Sequence, residues 1–293
     1  MSDRVVVTGA TGFVGSHVAA ALAAAGWTVH ALVRPESSLA TLEARGADVV
    51  VHRCAGGPAL RDAIASAAPR LVVHLASLFL AEHRPEQVAP LIDANVRYGA
   101  EVLEAATAAG CRRVLNTGTT WQHHEGRAHE PVALYAATKT AFEAILAYYV
   151  SAEGLAALTL ELPDTYGPGD PRGKLVAALR ARAGTADALA LSPGAQRVDL
   201  LHVDDAYAGF LVAADRLCAA SGGGHARFRL SGGAPRSLRE VVAAAERAFG
   251  APIPVSWGAR PYRRREVMEP ATVTPLLPGW SPRLTLEAGL ATL

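Results

Sequence analysis

The sequence predicts an α/β protein built on a doubly wound parallel sheet, and three observations predict it. A run of valines, Val5-Val6-Val7, is followed at once by glycines at Gly9, Gly12 and Gly15 and then by an alanine-rich run over 18–25. Apolar segments of strand length alternate with helical segments as far as residue 162, the rhythm of parallel strands joined by right-handed crossovers. The rhythm stops at Pro163, where prolines and glycines cluster over 163–173 (PDTYGPGDPRG).

Taken in order, the three β-branched residues after Asp3 and Arg4 suit a buried parallel strand. The glycines after it suit a dinucleotide: Gly9 permits a tight turn, Gly12 lets backbone approach a pyrophosphate, and Gly15 lets the helix pack on its strand. The helix N-terminus then faces the negative charge. That motif requires a strand before it and a helix after it, and both are present. Strands are expected over 27–33 and 47–52, and a short helix over 58–68 with Pro58 at its first position, where proline is tolerated. A fourth strand follows over 70–75 (RLVVHL). One long amphipathic helix is expected over 85–109, stopped by Gly110. A fifth strand over 113–117, a helix over 132–153 ended by Gly154, and a sixth strand over 157–162 complete the series. The 163–173 segment reads as a long surface loop. Beyond it come a helix (175–183), strands (188–191 and 198–203), a helix (204–219), a strand (226–230) and a helix over 237–249 with Ser237 and Glu240 in capping-box spacing. A short helix starts at Thr285. The expected organisation is a Rossmann-type domain over 1–163, completed by about 199–231. A small discontinuous lobe from about 164–198 and 232–293 would bind substrate.

Composition bounds the partners. With 51% hydrophobic and 19% charged residues this is an ordinary globular chain, and 28 basic against 27 acidic residues give no electrostatic case for nucleic acid or a membrane surface. Cys54, Cys111 and Cys218 follow no metal-ligand spacing and read as reduced, buried thiols. The N-terminus shows no signal-peptide pattern, and apolar runs break before the ~20 residues a membrane span needs. A cytoplasmic protein is expected.

The second strand ends Leu32-Val33-Arg34-Pro35-Glu36-Ser37. A carboxylate at this point would hold the 2′-hydroxyl of NAD; here Val33 takes that place and Arg34 follows. A guanidinium can hold a 2′-phosphate through charge-assisted hydrogen bonds. NADP(H) is therefore the expected cofactor, with NAD(H) as the alternative. The plain reading of Arg34 is a solvated charge ending a strand.

Tyr135 and Lys139 (YAATK) stand four apart on one helical face. A free phenol, with a pKa near 10, is a poor acid or base at neutral pH. A neighbouring ammonium would lower that value and let Tyr135 exchange a proton with a substrate oxygen; Lys139 can also bind the nicotinamide ribose. An aromatic helix face with a surface lysine is the bland alternative. The position after the fifth strand of a glycine-turn unit favours the catalytic one.

Together these motifs resemble the extended short-chain dehydrogenases/reductases, the family of NAD(P)-dependent nucleotide-sugar epimerases, dehydratases and ketoreductases. TGATGFVG is similar to that family's cofactor turn, bringing Thr11, Phe13 and Val14 in beside the glycines. VVHLAS resembles its fourth-strand motif, ending in Leu75, Ala76 and Ser77, and Asn95 with Gly99 matches its Asn-Val-x-x-Gly helix. Tyr166-Gly167-Pro168-Gly169 resembles its substrate loop, and His202-Val203-Asp204-Asp205 its late strand-to-helix motif. The resemblance implies cofactor contacts from these residues and from Thr117 and Leu162, and a homodimer through the helices carrying Asn95 and Tyr135. It also implies Thr119 as third catalytic residue, or Thr120 if the register slips, its hydroxyl bonding the carbonyl oxygen that Tyr135 protonates.

The short loop from Thr119 to Tyr135 most resembles the CDP-paratose and CDP-abequose synthase branch, which reduces CDP-4-keto-dideoxyhexoses with NADPH. The expected activity is NADPH-dependent reduction of a nucleotide-diphosphate-linked 4-keto-(6-deoxy)hexose. Alternatives are an NAD-retaining nucleotide-sugar epimerase or dehydratase, a ketoreductase on a non-sugar substrate, and a cofactor-sensing protein without catalysis. Gln122 and His123 are expected to face the hexose. Adjacent histidines make a poor metal pair, so no metal is expected.

The nucleotide end departs from the family. Its usual Gly-x-Gln-x-Arg-Asp motif appears as Gly194-Ala195-Gln196-Arg197-Val198-Asp199; on a strand a one-residue slip turns the side chain to the other face, so Arg197, a candidate substrate residue, either makes the contact through local irregularity or does not make it. Glu161 stands where an arginine is usual, and Asp164 where an asparagine is common. Lys174 and Arg263, the latter in the run Arg260-Pro261-Tyr262-Arg263-Arg264-Arg265, are the candidate replacements.

Overall fold

The computed structural model describes residues 3–128 and 130–293. The first half runs β1 (Arg4–Thr8), α1 (Phe13–Ala24), β2 (Thr28–Val33), α2 (Ala40–Glu43), β3 (Val49–Arg53), α3 (Gly57–Ala67) and β4 (Leu71–His74). It continues through α4 (Val88–Ile92), α5 (Tyr98–Ala108), β5 (Arg113–Thr119), α6 (Leu134–Glu153) and β6 (Ala156–Leu162). Beyond lie β7 (Asp164–Tyr166), α7 (Leu175–Arg182), β8 (Leu189–Leu191), β9 (Arg197–Val198), β10 (Leu200–His202) and α8 (Val203–Ala219). The chain closes with β11 (Gly224–Arg229), β12 (Arg236–Ser237), α9 (Leu238–Phe249), β13 (Val255–Trp257) and α10 (Leu286–Leu290).

Seven strands form one sheet in the order β11-β6-β5-β4-β1-β2-β3, every neighbouring pair parallel. This is the doubly wound architecture expected from the sequence. Side chains alternate across it, as the two-residue period of a strand requires. Val5 and Val7 join Val18, Leu22 and Phe210 on the α1/α8 face, while Val6 packs with Ile64, Leu103 and Phe142 on the α3/α5/α6 face. A separate cluster of Tyr166, Val176, Leu179, Val241, Ala245 and Leu290 forms the core under α7, α9 and α10. The strand order reverses between β1 and β4, so the ends of these two strands open the crevice where such sheets bind ligands.

Three expectations differ from the structure. The single helix over 85–109 is instead a 3₁₀ turn (Pro85–Gln87), α4, a π turn (Asp93–Arg97) and α5. Asn95, buried on the π turn, bonds Ser77, Leu78 and Thr138, a demand for one side-chain position that hydrophobic periodicity does not register. The supposed surface loop after Pro163 opens with β7, which pairs in parallel with β10 and buries Thr165 and Tyr166. Its partner is remote in sequence, so local composition hides it. The strand expected over 198–203 also divides: β9 pairs antiparallel with β12, and β10 with β7. Cys54 and Cys111 are buried free thiols. Among the described residues no helix is long and apolar enough to cross a membrane.

Candidate active site

The glycine turn sits where β1 and β4 end. Gly9 has φ +71°, and a Cβ there would lie 2.6 Å from the Ala76 nitrogen. A Cβ on Gly15 would lie 2.1 Å from the Gly9 carbonyl oxygen. Both positions therefore exclude a side chain by contact with backbone. The Gly12 N–H donates to the Gly9 carbonyl at 3.0 Å, closing the turn. Thr8 clamps the two strand ends: its Oγ1 accepts the Ala76 N–H at 3.1 Å and bonds His74 Nδ1 at 2.9 Å. Helix α1 starts from this turn, with its N-terminal N–H groups at the crevice, a natural seat for an anion.

Two cavities adjoin here. The larger, about 480 Å³, is lined by Gly9, Thr11, Gly12, Val33, Arg34, Ser37, Leu75, Ala76 and Ser77. Arg34 stands at its mouth, with Nε 3.3 Å from the Glu36 carboxylate. The smaller, about 210 Å³, shares the turn and runs over Phe13, Val14, Gly15, Thr117, Thr119, Tyr135, Leu162, Asp164 and Lys174.

Tyr135 lies in the first turn of α6. Burial pushes its phenol up to about 12, against a side-chain hydrogen bond with Ser77 that acts the other way. The expected lowering by Lys139 is not seen: besides burial and Ser77, the groups acting on the phenol are the Asp164 carboxylate, which raises it, and the Arg172 guanidinium, which lowers it. The result is a phenol held protonated at neutral pH. One turn on, Lys139 is 2% exposed and makes no hydrogen bond or ion pair with the described residues. Burial pulls its ammonium down to about 8, opposed by the Glu143 carboxylate. Thr119 ends β5; its Oγ1 accepts the Trp121 N–H at 3.3 Å and its N–H donates to Gln122 Oε1 at 2.9 Å. Thr117 Oγ1 is buried with no hydrogen-bond partner. An orphaned hydroxyl and a glycine cradle around a helix N-terminus both fit a nicotinamide dinucleotide.

Some sequence-predicted residues are placed behind the cavities or away from them. Asn95 lines neither: its Oδ1 accepts from Ser77 Oγ (3.0 Å) and the Leu78 N–H (2.7 Å), and its Nδ2 donates to the Leu78 carbonyl (3.0 Å) and Thr138 Oγ1 (2.9 Å). It holds Ser77 from behind. Gln122 turns inward, not toward a hexose, because its Nε2 donates to the buried Glu143 carboxylate at 2.9 Å. His123 is likewise drawn inside, its Nε2 bonding the buried Glu161 carboxylate at 2.9 Å. Arg197 points away from both cavities: its Nη2 donates to the Pro235 carbonyl, and its Nε lies 3.5 Å from Glu269. Arg263 stacks on the outer face of Trp121, 4.8 Å from the ring, and pairs with Glu266 at 2.7 Å.

Sequence reasoning missed Phe79, Trp121 and Arg172, which also line the smaller cavity. Phe79 packs edge-on against Tyr135 at 4.9 Å and lies 5.6 Å from Trp121. Lys174 Nζ sits 4.4 Å above the Phe79 ring and pairs with Asp164 at 2.7 Å. Arg172 covers the Phe13 ring at 4.5 Å and donates to the Thr165 carbonyl at 2.7 Å. Phe79 and Trp121 follow closely on β4 and β5 at the ligand-binding edge of the sheet, and that placement was the available signal. Lys139 and Lys174 are the only lysines in the sequence; Lys174 lines the smaller cavity, while Lys139, one turn after Tyr135 on α6, lines neither.

A Rossmann-type sheet, its glycine turn and the Thr119–Tyr135–Lys139 set define an NAD(P)-dependent enzyme of the extended short-chain dehydrogenase/reductase kind. The model of the NAD dependent epimerase/dehydratase family matches residues 5–225, and the chain belongs to that family. It is 27% identical to the CDP-abequose synthase of Yersinia pseudotuberculosis over 203 residues, 69% of this chain and 70% of that protein. It is 35% identical to the 3-diazoavenalumate denitrifying reductase of a Streptomyces species over 228 residues, 72% of each chain. In fold it is similar to the UDP-glucose 4-epimerase of Thermotoga maritima, with a TM-score of 0.85 at 20% identity, covering 99% of this chain and 96% of that one.

Proposed function

We propose that this protein is an NADPH-dependent ketoreductase acting on the 4-keto group of a nucleotide-diphosphate-linked (6-deoxy)hexose. The observation that carries the reductase reading is Tyr135, a half-buried phenol on the smaller cavity, held protonated at the crevice end of the sheet. A reduction needs a proton donor at the oxygen that becomes an alkoxide. The sugar-nucleotide part is supported by the similarity to CDP-abequose synthase. Arg34 and Ser37 at the mouth of the larger cavity support NADPH over NADH.

The residues that would hold the cofactor are Gly9, Gly12 and the first turn of α1 at the pyrophosphate, Arg34 at the 2′-phosphate, and Thr117 with Lys139 toward the nicotinamide end. When bound, the cofactor supplies a hydride. The chain does the rest. Thr119 Oγ1 and the Tyr135 hydroxyl hold the carbonyl oxygen, and Tyr135 gives it the proton. The Lys139 charge stabilises the phenolate left behind. Asn95 and Ser77 keep the strand end in place. A homodimer through α5 and α6 belongs to the same proposal.

A second reading, reduction of a ketone on a non-sugar substrate, is favoured by one observation. The cations at the smaller cavity are already neutralised, Lys174 by Asp164 and Arg172 by Asp170, while Phe79 and Trp121 present an aromatic wall. The experiment is NADPH oxidation against CDP- and dTDP-4-keto-6-deoxyhexoses and against aryl ketones, with NADH for comparison. Turnover of a sugar nucleotide supports the first reading. Turnover of aryl ketones alone moves the assignment to the second. Tightly retained NAD with no net consumption of NADPH refutes both and leaves an epimerase.

A further inference from the structure

We propose that Glu143 is a positioning residue of this site, one that keeps the Lys139 ammonium charged, with Gln122 and Arg227 fixing its carboxylate in place. Glu143 lies on α6 one turn after Lys139 and two turns after Tyr135, so the three share a helical face. It is 5% exposed, and both of its oxygens are taken. Oε1 accepts from Gln122 Nε2 at 2.9 Å, and Oε2 accepts from Arg227 Nε, on β11, at 2.6 Å. Gln122 in turn accepts the Thr119 N–H. Gly118 makes room for this link, since a Cβ there would lie 2.8 Å from Gln122 Oε1. One connected set of bonds thus runs from the Thr119 backbone to Arg227 at the surface, through a carboxylate anchored from two other elements.

Lys139 needs such a group. A buried amine gives up its proton unless an opposite charge is held nearby. The other titratable groups around it do not supply one. His74, facing it from β4, is fully buried and neutral, pulled down to about 3 by desolvation and by Lys139 itself. Tyr135 is protonated. His225, on β11 beside Arg227, bonds Thr159 Oγ1 at 2.8 Å and is pulled down to about 4. Glu143 is the acidic group that acts on Lys139, and Arg227 shares it. Its place in the site rests on the catalytic assignment of Lys139 made above.

The test uses the scarcity of lysine. With ¹³C at the lysine ε-carbon the protein shows two signals, assigned by Lys174→Arg and titrated by NMR without substrate. Glu143→Gln is expected to lower the Lys139 midpoint by about one pH unit. Arg227→Gln, which strips the competing cation from Glu143, is expected to raise it. Lys174 is expected to hold still in both. Loosened packing would move Lys139 in the same direction in the two variants, so opposite signs distinguish a charge effect from a structural one. An unmoved Lys139 in Glu143→Gln, or shifts of the same sign, overturns the proposal; if Glu143→Gln fails to fold, the direction in Arg227→Gln decides alone. A protein that reduces none of the ketones named above refutes the reductase reading and leaves this titration to stand or fall by itself.

Discussion

Arg34→Ala tests the cofactor preference most directly. Arg34 is 76% exposed and its Glu36 partner 68%, at 3.3 Å. A pair so exposed contributes only about 0–1 kcal/mol, so freeing the guanidinium for another anion costs little. A charge-assisted hydrogen bond to phosphate contributes roughly 1.5–3 kcal/mol. The difference leaves a net of roughly 1–2 kcal/mol in favour of the 2′-phosphate. At about 1.4 kcal/mol per decade this is a loss of about 5–30-fold in NADPH affinity. NADH carries no such phosphate, and its affinity is expected to hold. The assay is a fluorescence titration of both cofactors at one fixed, low salt concentration, because screening weakens an exposed contact. Glu36→Gln, which removes the competing carboxylate, is expected to tighten NADPH by up to about fivefold. Equal weakening of the two cofactors by Arg34→Ala, or no change in either, refutes the assignment.

Three further outcomes are expected. Tyr135→Phe lowers turnover by about 10²–10⁴-fold while cofactor affinity stays within about twofold; steady-state rates near wild type would remove Tyr135 from the chemistry. The alkaline limb of the pH–rate profile belongs to Lys139, since the Tyr135 phenol at about 12 stays protonated through the working range. Lys139, pulled to about 8, acts in its charged form, so turnover is full below that pH and falls as the pH rises through it; a profile flat to pH 10 would contradict this. Gly118→Ala drives a methyl to 2.8 Å from Gln122 Oε1 and 2.9 Å from Thr159 Cγ2. A destabilisation of about 1–3 kcal/mol in urea unfolding is expected, with kcat reduced as the Thr119 turn shifts; unchanged unfolding would show that the neighbours yield freely.

The parts of this structure legible in the sequence are those whose cause is local. Val5, Val6 and Val7 read as a strand because both faces of a parallel sheet are buried. Gly9 and Gly15 read as a turn because the same few residues supply both the tight bend and the close contact. The Tyr135–Lys139 pair needed only the helical repeat. What stayed hidden depends on partners remote in sequence. No local feature of Gln122 or His123 shows that Glu143 and Glu161 wait inside to receive them. Asp164 to Tyr166 carries proline and glycine on its flanks and so resembles a loop, yet β10 supplies its hydrogen bonds. Arg197 was left open by the sequence, as a substrate contact or none, and its partners Glu269 and Pro235 are likewise remote in sequence.

The π turn at Asp93–Arg97 has a consequence for which mutations this site tolerates. A π turn holds a residue more than an α turn does, so the helical faces after it are rotated by roughly 100° from where an unbroken α-helix would carry them. Leu91 before the turn and Val102, Leu103 and Ala106 after it are all buried, each in the phase its own segment requires. The inserted residue acts as a phase shifter between them, and Asn95 occupies the shift. Many substitutions on the solvent side of this helix would leave that phase intact. A single deletion anywhere in 93–97 would let the helix relax into one continuous spiral. It would also swing the amide of Asn95 off Ser77, Leu78 and Thr138 and displace Asp93, Ala94 and Arg97, which line the larger cavity. On this side of the molecule, spacing is under tighter constraint than side-chain identity.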